Sequence, residues 1–226
     1  MSHFVAFERS GRIGVIVIDN PPVNAISPGV TRGLIDALVQ FEAASDLDAL
    51  VLCCAGRTWV AGGDIAAFED PLFSAAPLNA FLAQLEAQSR PVVASLHGTV
   101  LGGGLELAMA CHARVAHAST RLGMPEVRLG LLPGSLGTQR LPRLVGPELG
   151  LHWGHQAAPG LRLRRTLGAG GALAGDDFCS KNVGQLKCHR LHRALLARVR
   201  SAHLYPQQLH QPALSGSWAA VAVSGQ

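Results

Sequence analysis

The chain has 226 residues, of which 48% are hydrophobic, and a net charge of +4. This length and apolar content allow one sizeable buried core and exclude a small domain that needs disulfides or metals to fold. Without an apolar run of about 18 residues or a secretion signal, we expect a soluble cytoplasmic protein. Five irregularly spaced cysteines argue against a disulfide framework and favour a reducing compartment.

The charge divides the chain into two unlike parts. Residues 1–148 carry 10 Arg and 13 acidic residues, whereas residues 149–226 carry 9 Lys or Arg and 2 acidic residues. Because the motifs described below also stop near this point, we predict a folded core over residues 1–146 and an atypical basic tail over residues 147–226.

The first predicted elements are a strand and a helix. Residues 13–18 form a β-branched run with turn-rich borders, which predicts a buried strand. Ser27 is expected to cap a helix that starts at Pro28, because a proline at the first helical position lacks only an N–H that would have no partner there. Four residues form the apolar stripe of that helix: Val30, Leu34, Leu38 and Phe41.

The same alternation continues along the core. Further strands are predicted at residues 50–55, 91–96 and 114–116, and a helix at residues 105–111. A second amphipathic helix is indicated by Leu78, Phe81, Leu82 and Leu85. This order predicts an α/β domain with crossover connections.

Three glycine-containing turns follow predicted strands, where α/β proteins tend to bind ligands. They are residues 59–65, 98–108 and 124–134. Glycine lets the backbone approach a ligand closely, and the first N–H groups of a helix have no partner within it. If Gly63 and Gly103 bring two N–H groups to one point, they can hold an oxygen that gains negative charge, as an oxyanion hole does.

Each feature of these turns also has an ordinary interpretation. Glycine alone favours a simple turn before a helix, and Trp59 is interpreted as a packing residue. Glu106, in the first turn of its helix, is on its own typical of a surface group that complements the helix dipole. Glu126 alone is equally ordinary. Together, however, two neighbouring carboxylates shift each other's pKa values apart, so that one can donate a proton while the other accepts one.

Four segments agree in order and spacing with one known family. They are NPPVNA at residues 20–25, AGGDI at 61–65, LGGGLELA at 101–108, and the stretch at 124–143. They resemble the enoyl-CoA hydratase/isomerase (crotonase) superfamily over about two-thirds of the chain. The motifs are most similar to the hydratase/isomerase part of multifunctional fatty-acid β-oxidation proteins.

The resemblance implies a fold, a substrate and a site. The fold is a spiral (superhelix) of ββα units that binds a CoA thioester, whose carbonyl oxygen is held by the N–H groups of Gly63 and Gly103. Glu106 and Glu126 are implied to activate a water for attack at the β-carbon and to handle the proton at the α-carbon. Weaker CoA contacts are implied for Ala25, Ala61, Gly62, Asp64 and Ile65.

The implied activity is hydration of a 2-enoyl-CoA, since both glutamates are present, with Δ3-Δ2 isomerisation as a second activity. CoA enters as part of the substrate, and we expect no metal, no redox cofactor and no nucleic-acid partner. A dinucleotide fingerprint is absent, so NAD-dependent activity is not expected. The resemblance implies a homo-oligomer. The rival class is an inactive acyl-CoA-binding or subunit-interaction protein of the same fold.

The chain departs from the family pattern at two places. Leu136 stands where the family has a small residue, and it would strain the turn if its φ were positive. After Gly146 nothing matches the helices with which family members close the acyl pocket and form trimer contacts. In this tail, residues 157–175 are rich in Gly, Ala, Leu and Arg without helix caps or sustained periodicity, and we predict coil at residues 201–226 and a helix at 186–199. The abrupt change suggests a frameshifted or otherwise replaced C-terminus.

The tail also contains metal-ligand residue types and basic residues. Their spacing fits no usual zinc pattern, and the basic run is interpreted as a solvated helix face. The ligand types are Cys179, Cys188, His189 and His192, and the basic residues are Arg190, Arg193, Arg198 and Arg200.

Overall fold

The computed structural model describes residues 4–71, 74–117, 119–148, 150 and 218–221. The strands are β1 (Val5–Ser10), β2 (Ile13–Ile18), β3 (Ala49–Cys54), β4 (Val92–Leu96), β5 (Thr99–Leu101), β6 (Ala113–His117), β7 (Arg121–Gly123) and β8 (Trp218–Val221). The α-helices are α1 (Pro28–Ala43), α2 (Ala76–Glu86), α3 (Gly103–Ala110) and α4 (Gly137–Val145). Two 3-10 helices lie at Ile65–Glu69 and Glu126–Leu129.

A six-stranded sheet forms the framework, in the order β1-β2-β3-β4-β6-β8. The four strands from β2 to β6 run parallel, whereas β1 and β8 pair antiparallel at the two edges. Strands β5 and β7 form a separate parallel pair. This confirms the predicted α/β class and its crossover connections. Because β2, β3 and β4 are parallel, the turns that follow them emerge at the same edge of the sheet.

Helices α1 and α2 confirm the predicted apolar faces. The hydroxyl of Ser27 accepts a hydrogen bond from the Val30 N–H at 3.2 Å, and Pro28 is the first helical residue. All four residues of the predicted α1 stripe are buried. On α2, Phe81, Leu82 and Leu85 are also buried, whereas Leu78 is only partly so.

Several elements were not predicted. Strand β1 escapes recognition because it lies at an edge and alternates half-buried with exposed residues, and β5 and β7 have only three residues each. Helix α4 contains Pro142 and begins after a left-handed Leu136 rather than a polar cap. The coil prediction for residues 201–226 is wrong at 218–221, which form β8. The other predictions for the tail, including its helix, its metal-ligand residue types and its basic run, lie outside the described residues.

One large hydrophobic core lies between the sheet and the helices, and its most voluminous buried side chains include Trp59, Phe41 and Phe81. Trp59 is 0% exposed and packs in this core, which confirms its predicted packing role. Among the helices that the structure describes, none has the length and apolar character to cross a membrane.

Candidate active site

The turn after β3 carries Gly63 and is held against the turn after β2. The Ile26 N–H donates to the Gly62 carbonyl, and the Asp64 N–H donates to the Ile26 carbonyl, each at 3.0 Å. In such a parallel bridge the neighbours of Gly63 make both bonds, so the N–H of Gly63 itself points away from Ile26. Within the described residues, that N–H donates to no backbone carbonyl.

The buried side chain of Asn24 also connects these two turns by hydrogen bonds. It is 3% exposed, and its φ of 54° lies in the left-handed region. Its side-chain amide donates to the carbonyls of Ala55 and Thr58, each at 2.9 Å, and its side-chain oxygen accepts from the Asn20 N–H at 2.8 Å. These bonds use all of the strong donor and acceptor groups of a side chain that would be costly to bury unpaired.

Gly103 begins α3 and faces the Gly63 turn. A Cβ placed on Gly103 would lie 3.8 Å from the Gly63 nitrogen, 4.0 Å from Glu106 Oε2 and 3.6 Å from Ile26 Cδ1. The three groups therefore surround one small space next to Gly103. As the first residue of the helix, Gly103 has an N–H without an intrahelical partner, and the positive end of the α3 dipole lies at the same point.

Glu106 is a buried carboxylate, not the solvated surface group that its helix position alone suggests. It is 3% exposed, and its Oε1 accepts hydrogen bonds from the N–H groups of Ser135 at 2.9 Å and Gly137 at 2.7 Å. Burial raises its pKa above the ordinary glutamate value, while the two N–H bonds and then the charge of Arg140 oppose that increase.

The turn that donates both N–H groups depends on an unusual residue at its centre. Leu136 has a φ of 63°, which is the condition under which the sequence predicts strain in this turn, and its side chain is 55% exposed. This conformation turns the flanking N–H groups of Ser135 and Gly137 towards one oxygen. A Cβ on Gly137 would lie 2.8 Å from Glu106 Oε1 and would overlap the end of the Met124 side chain, so a larger residue here would require both side chains to move.

Glu126 lies on the other side of the α3 start. Its Oε1 packs against Gly102, where a Cβ would come within 2.7 Å of that oxygen. Its Oε2 is buried and has no hydrogen-bond partner among the described residues. Burial raises the pKa of Glu126, and the negative charge of Glu106 raises it further. The structure thus brings Gly63, Gly103 and the two glutamates together around one helix terminus.

The residues with implied CoA contacts all lie in the turns around Gly63. Gly62 has a φ of 123°, the Asp64 side chain caps the following 3-10 helix, and Ile65 is 58% exposed. The carbonyl of Ala25 accepts from the Asn20 side chain at 2.8 Å, and the Ala61 N–H donates to the Val23 carbonyl at 3.1 Å. Their contact with CoA stays a prediction.

Sequence reasoning missed the groups that hold Glu106. The Ser135 and Gly137 N–H groups carry no sequence signal, since any residue supplies a backbone donor. Arg140 was also missed, although it is only 8% exposed and pairs with Glu86, 54 positions earlier. The sequence signal that could have indicated a buried Arg140 is its position directly before the buried Leu141 on an amphipathic helix.

The comparisons with known proteins identify the family of this chain. The family model described as enoyl-CoA hydratase/isomerase matches residues 8–152, so the chain belongs to that family. It is 43% identical over 136 residues to a peroxisomal bifunctional enzyme of Cavia porcellus, covering 59% of this chain and 19% of that protein. A probable enoyl-CoA hydratase of Bacillus subtilis is 41% identical over 140 residues, with 59% of this chain and 54% of that protein covered.

Solved structures show the same fold. An enoyl-CoA hydratase structure from Geobacillus kaustophilus aligns with a TM-score of 0.61 and 35% identity, covering 66% of this chain and 60% of that one. The enoyl-CoA hydratase of Thermoplasma volcanium aligns with a TM-score of 0.63 and 30% identity, covering 68% and 64%. The fold is therefore the crotonase fold. The chain spans about a fifth to about half of the curated relatives described above and less than two-thirds of each solved structure.

Proposed function

We propose that the chain is an enoyl-CoA hydratase that adds water across the double bond of a 2-enoyl-CoA thioester. The observation that carries this proposal is the shared space next to Gly103, bordered by the Gly63 nitrogen and Glu106 Oε2, with Glu126 against the adjacent Gly102. A thioester oxygen in this space would be next to two N–H groups, and the double bond would be next to two carboxyl groups.

The two N–H groups have the chemistry of an oxyanion hole. As water adds at C3, negative charge moves onto the thioester oxygen, and donors already fixed at that point stabilise the enolate without reorganising. Gly63 and Gly103 supply these donors, and the N-terminal dipole of α3 adds to the favourable potential. Both donors come from the backbone, so their positions depend on the turns that carry them.

The carboxyl groups divide the proton transfer between them. Glu106, whose Oε1 accepts two N–H bonds, is the better stabilised as an anion and takes a proton from the attacking water. Glu126, half-buried and next to that negative charge, is the better stabilised as the acid and gives its proton to C2 of the enolate. The water oxygen bonds to C3, the C2–C3 π bond is lost, and proton exchange with solvent restores both glutamates.

The same groups support double-bond migration. A Δ3-Δ2 isomerisation needs the oxyanion contacts and a carboxylate that moves one proton from C2 to C4, so we include it as a second activity. Neither reaction transfers electrons to an acceptor, and we expect neither to need a resident metal or redox cofactor. Comparing rates with a short 2-enoyl-CoA and its 3-enoyl isomer measures the balance between the two.

The test is hydratase activity of the parent chain and of Glu106→Gln and Glu126→Gln. Each glutamine keeps the side-chain shape but cannot carry the proton, so we expect kcat to fall by about 10²- to 10⁴-fold. Glu8→Gln on exposed β1 is the matched control and should retain parental activity. Parental rates in both active-site variants would refute the mechanism, whereas thioester binding without turnover by the parent would make the chain an acyl-CoA-binding protein.

A further inference from the structure

A polar clamp connects α2, the turn before α4, and α4 itself. Arg140 Nε donates to Glu86 Oε1 at 2.6 Å, and its Nη2 donates to Glu86 Oε2 at 2.9 Å. The third guanidinium nitrogen, Nη1, donates to the carbonyl of Ser135. The Arg140 side chain is 9% exposed, against 44% for that of Glu86, so the pair reaches from the protein surface into the interior.

Ser135 connects the clamp to Glu106. Ser135 receives Arg140 at its carbonyl and donates its own N–H to Glu106 Oε1 at 2.9 Å, and Ser135 is itself 3% exposed. A second contact from α2 supports the same turn, since the Asn79 amide donates to the Gly134 carbonyl at 3.2 Å. A fork-shaped guanidinium that binds a carboxylate and a carbonyl at once fixes the orientation of the peptide it holds.

We propose that Arg140 and Glu86 are positioning residues for Glu106: they fix the Ser135 turn so that its N–H groups hold Oε1 and leave Oε2 facing Gly103. The effect on turnover rests on the hydratase function proposed above. The effect on the Glu106 carboxyl group does not.

The clamp also has an electrostatic consequence. The charged side chain that acts on Glu106 is Arg140, whose positive charge lowers its pKa, and Glu126 is the neighbouring carboxyl group whose own pKa the charge of Glu106 raises. Burial raises the pKa of Glu106 and is the largest influence, and the Gly137 and Ser135 N–H bonds oppose it. Loss of the clamp removes a positive charge and loosens the turn, and both changes raise the pKa of Glu106.

The experiment compares Arg140→Met and Arg140→Lys with Arg143→Met. Arg143 is exposed on the same helix, so its variant removes the same charge without touching the clamp. The pKa of Glu106 is followed by NMR of ¹³C-labelled glutamate carboxyl groups, and its signal is identified by its loss in Glu106→Gln. We expect a higher pKa in Arg140→Met and a parental pKa in Arg143→Met. In turnover, Arg140→Met should lose about tenfold in kcat with little change in KM.

The lysine variant separates geometry from charge. It retains a positive charge but cannot hold Glu86 and Ser135 in one planar fork, so we expect a kcat below the parent and an intermediate pKa for Glu106. If Arg140→Met fails to fold, the lysine variant still tests the geometric part of the proposal, because a parental kcat and a parental Glu106 pKa in a folded Arg140→Lys protein would overturn it.

The two proposals can fail separately. A folded Arg140 variant with lower stability but a parental Glu106 pKa would overturn the positioning role and leave the clamp merely structural. A parent without turnover would overturn the hydratase function, while the carboxyl titration would still decide whether the clamp acts on Glu106.

Discussion

The indole N–H of Trp59 donates to the carbonyl oxygen of Gly104 at 3.0 Å, inside the core. Trp59 begins the turn that leads to Gly63, and Gly104 follows Gly103 in the first turn of α3. This bond therefore connects the two segments that carry the N–H groups proposed as the oxyanion hole. Trp59 is both a buried core residue and a link between these two parts of the site.

We expect Trp59→Phe to lower the free energy of unfolding by about 1–3 kcal/mol, because it removes the buried hydrogen bond to the Gly104 carbonyl and reduces the ring volume in the core. Urea unfolding measures the loss, and titration with a non-reactive acyl-CoA analogue should show weaker binding. Phe41→Leu is the control: it reduces a buried aromatic side chain far along α1 and should cost stability while leaving thioester affinity unchanged. Parental stability in Trp59→Phe would contradict the structural role of this bond.

Alanine at two adjacent glycines should separate function from folding. A Cβ on Gly103 makes only ordinary contacts of 3.6–4.0 Å but occupies the space proposed for the thioester oxygen, so Gly103→Ala should fold and bind thioester poorly. A Cβ on Gly104 would collide with the Val60 carbonyl, so Gly104→Ala should be strongly destabilised. Thermal unfolding and ligand titration measure both, and tight thioester binding by Gly103→Ala would argue against the proposed site.

Replacing Asn24 should loosen the turns beside Gly63. Asn24→Ala removes three hydrogen bonds and leaves the carbonyls of Ala55 and Thr58 without that donor, and we expect a loss of at least about 2 kcal/mol. Asn24→Gly loses the same bonds but accepts a φ of 54° more readily, so it should be less destabilised than the alanine variant. Chemical unfolding of both variants checks this order. Equal stability of all three proteins would show that these bonds do not hold the turns.

The activity should depend on pH through both glutamates. Glu106 must be ionised to accept a proton, so kcat/KM should fall as pH drops through its pKa, which burial raises above the ordinary glutamate value. Glu126 must be protonated to donate, so the rate should fall again as pH rises through its own raised pKa. A pH–rate profile tests both limbs. The residual activity of Glu126→Gln should not fall at high pH, because the group that must be protonated is gone. A fall in kcat/KM at low pH with an apparent pKa below the ordinary glutamate value would contradict the role of Glu106.

Much of the fold is predictable because its signals are local. Each of these signals lies within a short stretch of consecutive residues: the β-branched run of β2, the Ser27 cap and the α1 stripe. Strands β5 and β7 are too short to show the alternating hydrophobic pattern of a strand. Leu136 adopts a left-handed conformation, although a leucine does not indicate a turn. Tertiary contacts, not propensity, stabilise these elements.

The candidate site shows the same division. The glycine-rich turns and the family resemblance identify the four candidate residues Gly63, Gly103, Glu106 and Glu126. The burial of Glu106 cannot be predicted in this way, because its two N–H donors lie 29 and 31 positions further along the chain. Arg140 and Glu86 likewise meet across 54 positions, a distance at which no spacing rule indicates a pair.

The bond from Gly137 to Glu106 also determines how the site can be lost. Gly137 is the first residue of α4, so local unfolding of that short helix takes the Gly137 N–H away from Glu106 and releases Arg140 from the Ser135 carbonyl, while the six-stranded sheet keeps its hydrogen bonds. Activity would then disappear on warming before the protein melts, and amide exchange in α4 would be faster than in β2 or β3.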